Sequence, residues 1–175
     1  MASPQTATKS RQTKPGSKPA RKSARAASRS PDAISLLKAD HKEVKSYFKQ
    51  YEGLEDVADK QALADKICRA LTVHAQIEEE IYYPAARAAI DDDDLLDEAE
   101  VEHASAKQLI AEIQAMTAAD RLFDAKVTVL GEYIDHHVKE EEKEMFPESR
   151  ASDLDLKALG AQLAERKAEL MAKAH

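Results

Sequence analysis

Residues 74–84 read HAQIEEEIYYP, and residues 137–147 repeat this pattern as HVKEEEKEMFP. Each copy begins with a histidine and carries a glutamate four residues later, at Glu78 and Glu141. Residues four positions apart project from the same face of a helix. The repeat therefore predicts two helices, each of which presents a histidine and a glutamate side by side.

A shorter repeat, an acid followed by a histidine, precedes each copy. Its two occurrences are Asp40-His41 and Glu102-His103. The first histidine lies 33 residues before the one that opens the first long copy, and the second lies 34 residues before its counterpart. Four segments with nearly equal spacing thus predict four helices that aim polar side chains at one shared centre.

Apolar residues recur at three- and four-residue spacing through all four segments, which predicts amphipathic helices. The first starts at Ser30-Pro31-Asp32 and ends near Gly53, the second weakens beyond Pro84, the third starts at the acidic run 91–94, and the fourth starts near Thr117 or Asp120 and stops before Pro147. Connections this short favour antiparallel neighbours, and so an up-down-up-down four-helix bundle. A further amphipathic helix is predicted from about Asp153 to Ala172.

Each histidine occupies a position in the apolar seam of its helix that Ile or Leu would otherwise fill. Counted from the predicted loops, at about 1.5 Å per residue, the four histidines fall within a slab about 10 Å thick near the middle of the bundle. The four side chains are therefore expected to converge.

Composition supports an all-α protein. The chain has 175 residues, of which 43% are hydrophobic and 34% charged, with four Gly and no Trp. Its single cysteine, Cys68, excludes an internal disulfide, a cysteine-rich zinc site and an iron–sulfur cluster held by this chain alone. It has no apolar run of membrane-spanning length and no secretory signal, so we expect a cytoplasmic protein without a membrane partner.

Charge divides the chain into parts. Residues 1–31 hold eight Lys or Arg and no acid, whereas the remainder has 18 basic and 33 acidic residues. We expect 1–31 to be a disordered basic tail, 32–147 to be the bundle and 148–175 to form the C-terminal amphipathic helix. The tail favours a solubilising role, with nucleic-acid binding and organelle targeting as the alternatives.

Burying carboxylates without partners costs several kcal/mol each, and a pair of divalent cations would remove that cost. Neutral imidazole suits Fe, Zn, Mn or Cu, and a carboxylate has two oxygens that can bridge two ions. The predicted metal ligands are six residues: His41, His74, Glu78, His103, His137 and Glu141. The simplest arrangement has two histidines on each ion and both glutamates bridging.

One histidine-bearing element per helix, in the order His, His-x3-Glu, His, His-x3-Glu, resembles the hemerythrin-like (HHE cation-binding) family over about residues 32–147. The resemblance implies a non-haem site with two iron ions (Mn or Zn as alternatives) that meets O2, NO or peroxide, or that senses iron. It implies His41 and His74 on one iron and His103 and His137 on the other. If the protein is an enzyme, a peroxide- or NO-reducing activity linked to oxidative stress is implied.

Two positions depart from the oxygen-carrying members of that family. Lys107 stands where those proteins have a fifth histidine, one turn after His103. Their second bridging carboxylate lies five residues after the last histidine, which would be Glu142, whereas the repeat favours Glu141. Reversible oxygen transport is therefore not expected, and redox turnover or ligand exchange fits better.

His136 and the tyrosines are not expected among the metal ligands. His136, beside His137, is expected on the surface or behind the site, and the tyrosines are expected mainly in packing.

The main hypothesis is a dinuclear iron protein that binds or reduces a small oxidant. The alternatives are a cation-binding or iron-responsive interaction module without turnover, and a structural bundle whose basic tail binds nucleic acid. The sequence does not predict an oligomeric state.

Overall fold

The computed structural model describes Met1 and residues 31–173, and no strand occurs among them. Helix α1 spans Ala33–Tyr51, α3 spans Asp93–Gln114 and α5 spans Leu156–Lys173. Helix α2 is α-helical over Val57–Ile77 and Tyr83–Arg87 and π-helical over Glu78–Tyr82 between them. Helix α4 repeats this plan, with α-helix over Phe123–Glu140, π-helix over Glu141–Met145 and α-helix over Phe146–Ala151.

This architecture confirms the predicted all-α, up-down-up-down four-helix bundle, formed by α1 to α4, with α5 as the additional C-terminal helix. The predicted disorder of residues 1–31 concerns a segment of which 2–30 lie outside the described residues. None of the described helices combines the length and apolarity needed to cross a bilayer.

Two helix starts differ from the expected ones. Asp32, rather than Ser30, caps α1, because its carboxylate accepts the Ser35 backbone N–H at 3.0 Å. Asp120 does not cap α4; its carboxylate instead accepts the Thr117 backbone N–H at 2.7 Å within the preceding turn. Helix α4 therefore begins three residues later, at Phe123.

The two π segments start at equivalent points of the sequence repeat, at Glu78 and Glu141. Each ends two residues before a proline, Pro84 or Pro147. Proline lacks an N–H donor and crowds the carbonyl of the preceding turn, so the regular i to i−4 pattern cannot continue through it. A π turn widens the helix locally and often marks a functional site. Here it begins at both glutamates that the repeat singles out.

Two apolar clusters fill the bundle, one on each side of a polar layer. The cluster nearer α5 includes Leu37, Ile77, Leu96, Met145 and Leu163, all fully buried or nearly so. The other includes Val44, Leu71, Ala106, Phe123 and Leu130. Along each helix of the bundle the histidine lies where one cluster gives way to the other. The expectation that all four histidines lie at one level is confirmed.

Helix α5 packs against α1 and α2. Leu159 and Leu163 enter the first apolar cluster, and Gly160 allows close approach to the start of α1. A Cβ added at Gly160 would lie 2.3 Å from the carbonyl oxygen of Pro31 and 2.7 Å from the amide nitrogen of Ala33. Helix α5 can therefore pack this closely against the start of α1 only because residue 160 has no side chain.

Candidate metal centre

Two pairs of histidines face each other in the polar layer. The Nε2 atoms of His41 and His74 lie 3.1 Å apart, and those of His103 and His137 lie 3.0 Å apart. All four residues are only 4–7% exposed. Each pair thus directs two nitrogen donors at one point within the protein.

Glu78 lies between the two pairs. Its Oε1 is 3.2 Å from Nε2 of His74, and its Oε2 is 3.5 Å from Nε2 of His103. The two oxygens of one carboxylate thus face different histidine pairs. This is the geometry that a carboxylate needs in order to bridge two cations.

Glu141 also reaches both pairs. Its Oε2 is 3.2 Å from Nε2 of His41 and 3.7 Å from Nε2 of His137. Its Oε1 accepts a hydrogen bond from the Tyr83 hydroxyl at 3.1 Å. Glu141 and Glu78 therefore close the centre from two different helices.

The donor set fits cations. Both carboxylate oxygens of Glu78 and Oε2 of Glu141 are buried without a hydrogen-bond partner among the described residues. Unpartnered buried carboxylate oxygens cost several kcal/mol unless a cation or proton compensates them. Two fully buried sets have all their ligand atoms within 4.8 Å of one another, namely His41, His74, Glu78 and Glu141, and Glu78, His103 and His137. A third set that meets this distance, Glu102, His136 and Glu140, is not buried.

All six residues singled out in the sequence are thus brought together. Glu142, the alternative bridging residue, lies outside the cluster with its Oε1 3.1 Å from Nδ1 of His41. His136 is largely exposed and pairs with Glu140 at 3.1 Å. Lys107, which stands in place of a fifth histidine, binds Glu79 at 2.7 Å.

Each histidine is backed by a carboxylate at Nδ1, on the side away from the centre. The four distances are 3.1 Å for His41 to Glu142, 3.5 Å for His74 to Asp40, 3.0 Å for His103 to Glu79 and 2.7 Å for His137 to Glu102. Such partners orient the ring, fix Nδ1 as the protonated nitrogen and leave Nε2 for a metal. The arrangement is the usual setting of metal-binding histidines.

The carboxylates that contact Nδ1 of the histidines do so both within and between the two halves of the repeat. The acid before the first histidine of each half backs the second histidine of the same half, as Asp40 does for His74. The second glutamate of each EE pair backs the first histidine of the other half, as Glu79 does for His103. Sequence reasoning did not place any of these acids behind a histidine. The repeat preserves them, but the crossing between halves becomes visible only in the fold.

In the absence of a cation, the pKa values of His74 and His137 are raised, whereas that of His103 is lowered. Burial disfavours the charged form of His74, but Glu78 and the hydrogen bond to Asp40 outweigh it and raise the pKa of His74 to about 10. Burial likewise opposes charge on His137, yet Glu141 and Glu102 raise its pKa to about 9. For His103, burial prevails and lowers the pKa. Within the second pair, these shifts favour the protonated form of His137 over that of His103.

Glu141 stays ionised despite full burial. Burial by itself favours the neutral acid, but the charge of His137 and a contact with His41 lower the pKa of Glu141 to about 2. A carboxylate that is ionised, buried and partly unpartnered is a strong cation ligand.

Tyr83 is the site residue that the sequence prediction placed in packing. Its hydroxyl lies 3.1 Å from Nε2 of His103 and 3.4 Å from Nε2 of His137, and burial raises the pKa of the phenol well above its usual value. Phe146 holds the equivalent position of the repeat and stacks on His41, with ring centroids 5.7 Å apart. The Tyr/Phe difference was visible in the sequence, but the direction of the hydroxyl was not.

Two cavities adjoin the centre. A cavity of about 20 Å³ touches all four histidines and is otherwise lined mainly by apolar side chains such as Val44, Leu71 and Ile110. A volume of about 10–15 Å³ on this measure holds one water molecule, so the cavity suits a molecule of two or three atoms. A wider cavity of about 210 Å³ opens between α3 and α4, beside His103, His136 and His137.

The sequence of this chain is similar to that of known proteins. The hemerythrin HHE cation binding domain family matches residues 32–149. A protein named DNA nickase from Nostoc sp. is 29% identical over 111 residues, which is 63% of this chain but 31% of that protein. The chain thus spans about a third of the length of that curated relative.

A solved structure supports the same fold. The crystal structure of a hemerythrin HHE cation binding domain-containing protein from Mycobacterium kansasii aligns with a TM-score of 0.71 and 23% identity, over 82% of this chain and 89% of that one. At this identity the likeness concerns the fold. The family match, which spans well over half of the chain, carries the assignment. On this evidence the chain belongs to the hemerythrin HHE cation-binding domain family.

Proposed function

We propose that this protein holds two iron ions, with Mn or Zn as alternatives, and uses them to bind or reduce a small oxidant such as O2, NO or peroxide. His41 and His74 would hold one ion, His103 and His137 the other, and Glu78 and Glu141 would bridge them. The observation that carries the proposal is the pair of glutamates with unpartnered buried oxygens between two pairs of converging imidazoles.

The bound ions would supply Lewis acidity and one-electron redox chemistry. The chain's own contribution is preorganisation. The carboxylates at the four Nδ1 atoms hold the imidazoles in place. The apolar walls of the 20 Å³ cavity admit a molecule of two or three atoms and exclude bulk water. The Tyr83 hydroxyl, which now donates to Glu141, is available to ligate the second ion or to donate to its ligand.

The two ions would have unequal surroundings. Glu78 and Glu141 reach toward both, but Tyr83 lies only beside the His103–His137 pair. Lys107 replaces the fifth histidine of the oxygen-carrying members, and its ammonium group pairs with Glu79. Open positions favour exchange of ligands and redox turnover over the reversible storage of oxygen.

Anaerobic loading with ferrous iron followed by exposure to air or peroxide tests the proposal. We expect two irons per chain by elemental analysis, a new absorption band from ferric iron, and faster loss of peroxide than with the metal-free protein. A His74→Ala, His137→Ala double variant, which removes one donor from each pair, is the matched control. A wild-type chain that takes up no iron would overturn the proposal.

A cation-binding or iron-responsive module without turnover is the second candidate. The ion-paired carboxylates behind the histidines support it as well, because they hold the metal ligands in place whether or not turnover follows. Two bound irons that neither change on exposure to air nor speed the loss of peroxide would select this function. The iron-loaded chain should then differ from the metal-free one mainly in melting temperature.

Nucleic-acid binding through residues 1–31 stays a prediction. Eight basic residues without an acid favour contact with phosphates, and one relative carries a name that refers to DNA. Binding of the full chain to duplex DNA, measured at two salt concentrations and compared with a chain that lacks 1–31, tests it. Salt-sensitive binding that requires the tail would support the prediction, and equal binding by both chains would refute it.

A further inference from the structure

Three of the four carboxylates behind the histidines are themselves held by a lysine. Lys38 binds Glu142 at 3.0 Å and Lys107 binds Glu79 at 2.7 Å, and both lysines belong to helices of the bundle. The third, Lys167, binds Asp40 and belongs to α5. Helix α5 lies beyond residues 32–149, the part of the chain that the family matches. One connection to the metal centre therefore comes from outside the family domain.

The connection is direct. Lys167 contacts Oδ1 of Asp40, whose Oδ2 lies 3.5 Å from Nδ1 of His74. Asp40 is buried, with 7% of its surface exposed. Removing the cation from such a buried ion pair leaves the carboxylate without a charge partner. Lys167 is thus the group that keeps Asp40 turned toward His74.

A second contact reaches the same half of the centre. Arg166 binds Glu80 through two hydrogen bonds, from Nε at 2.6 Å and from a terminal nitrogen at 3.1 Å. Glu80 belongs to the π segment Glu78–Tyr82, which begins at the bridging candidate Glu78. Adjacent residues of α5 therefore hold both the carboxylate behind His74 and the segment that carries Glu78.

Among the described residues, no additional helix supports the other half of the repeat in this way. The position equivalent to Glu80 is Lys143, and the position equivalent to Ile77 is Glu140. Ile77 is buried in the cluster that receives Leu163 of α5, whereas Glu140 pairs with His136 near the surface. The sequence of the second half is therefore unsuited to seat a helix like α5. The two halves of the repeat therefore differ in sequence at the positions by which the first half holds α5.

We propose that α5 contributes to metal binding. Lys167 is a positioning residue that orients His74 through Asp40. The docked helix thereby increases the affinity for the ion held by His41 and His74, and not for the other ion. This inference rests on the proposed binding of two metal ions. Loss of a carboxylate partner behind a metal-binding histidine typically weakens metal affinity by about 10–100-fold. We expect a loss of this size for one ion and little change for the other.

The test uses the full chain and Co²⁺, whose absorption reports the coordination of each ion as it binds. Lys167→Met should weaken one of two binding steps by about 10–100-fold, and Lys167→Arg, which keeps the cation, should restore it. Lys157→Met is the matched control, because Lys157 lies on the same helix, is exposed, and makes no ion pair with another described residue. It should bind both ions as the wild type does.

Variants that keep a single site identify the affected ion. In a His103→Ala background, which retains the His41–His74 pair, Lys167→Met should weaken the remaining ion. In a His41→Ala background it should have no effect. Gly160→Ala, which displaces α5 without changing any charge, should also weaken binding of the ion held by His41 and His74 in the wild-type background.

Equal weakening of both ions by Lys167→Met, or no weakening of either, would overturn the inference. In both cases the proposed function would stand, because the wild-type chain would still bind two ions. A wild-type chain that binds no Co²⁺ and no iron would overturn the proposed function and this inference together.

Discussion

The hydroxyl of Tyr83 lies 3.1 Å from Nε2 of His103, where the other half of the repeat has only the ring of Phe146. The pseudo-twofold symmetry of the centre is therefore broken by one oxygen atom. Since Phe146 shows that a phenyl ring fits the equivalent place, the role of this oxygen can be tested without disturbing the packing.

Tyr83→Phe should keep two metal ions and lose a spectral feature. If the phenol oxygen ligates ferric iron, the wild type has a visible charge-transfer band that the variant lacks. Loss of the hydrogen bond to Glu141 should cost about 1 kcal/mol of stability in the metal-free protein. The check is absorption spectroscopy of the iron-loaded proteins together with chemical denaturation.

Tyr82→Phe is the control for Tyr83→Phe. Tyr82 is also buried, but its hydroxyl forms a hydrogen bond with the Ser149 hydroxyl rather than with Glu141. It should leave the iron spectrum unchanged. Identical spectra for the wild type and Tyr83→Phe would exclude ligation by the phenol.

Glu78→Ala should lower the metal content from two ions to one or none, because both oxygens of this side chain face the histidine pairs. Glu144→Ala removes the same charge from an exposed position and should leave two ions. Elemental analysis after equilibrium dialysis measures both. Retention of two ions by Glu78→Ala would refute the bridging role.

His136→Ala and His137→Ala should differ although the residues are neighbours. His137 directs Nε2 into the buried layer, whereas His136 is largely exposed and pairs with Glu140. Metal content should fall in His137→Ala and stay at the wild-type value in His136→Ala. The comparison needs only metal analysis of the two purified variants, and equal losses would contradict the assignment.

Much of this organisation could be predicted because it is periodic. A histidine in an apolar seam must lie on the inner face of its helix, so His41 and His137 could be placed from their spacing alone. The repeat favoured Glu141 over Glu142 without excluding Glu142, and a residue four positions after a histidine does share its face.

Contacts between distant segments could not be predicted in this way. Lys167 and Asp40 are 127 residues apart, and no spacing rule connects α5 with α1. The π segments were missed because the pattern of apolar residues continues through them, and only the hydrogen bond from the Tyr83 backbone N–H to the Glu78 carbonyl reveals the wider turn. Pro84 was the available signal, and it suggested a weakening helix instead.

Gly160→Ala should destabilise the protein by about 1–3 kcal/mol, the usual cost of an added methyl group in a closely packed interior. The new Cβ would meet backbone atoms of Pro31 and Ala33 at 2.3 and 2.7 Å, and backbone cannot move aside as a flexible side chain can. Urea denaturation of the metal-free protein measures the change.

Gly53→Ala is the matched control for Gly160→Ala, since its new Cβ would lie 3.7 Å from the Gln50 carbonyl, an ordinary contact. Its effect should stay within about 0.5 kcal/mol, as for most surface substitutions. A similar stability for both variants would mean that α5 does not sit as closely on α1 as described.

Metal binding should release protons at pH 7. His74 and His137 have pKa values raised to about 10 and about 9 in the metal-free protein, so both rings are protonated at neutral pH and must lose a proton before Nε2 can bind a cation. Zn²⁺ binding measured by calorimetry in buffers of different ionisation enthalpy should reveal this release. The release should fall as the pH approaches 10.

The same pKa values fix how stability depends on pH. A raised histidine pKa stabilises the metal-free fold fully below the unfolded value of 6.5, and this contribution is lost as the pH rises toward 9–10. A cation replaces those protons, so the loaded form does not suffer the loss. The difference in melting temperature between loaded and metal-free protein should therefore widen from pH 6 to pH 9. A constant difference over that range, with no proton release at pH 7, would mean that the two rings are neutral before metal arrives.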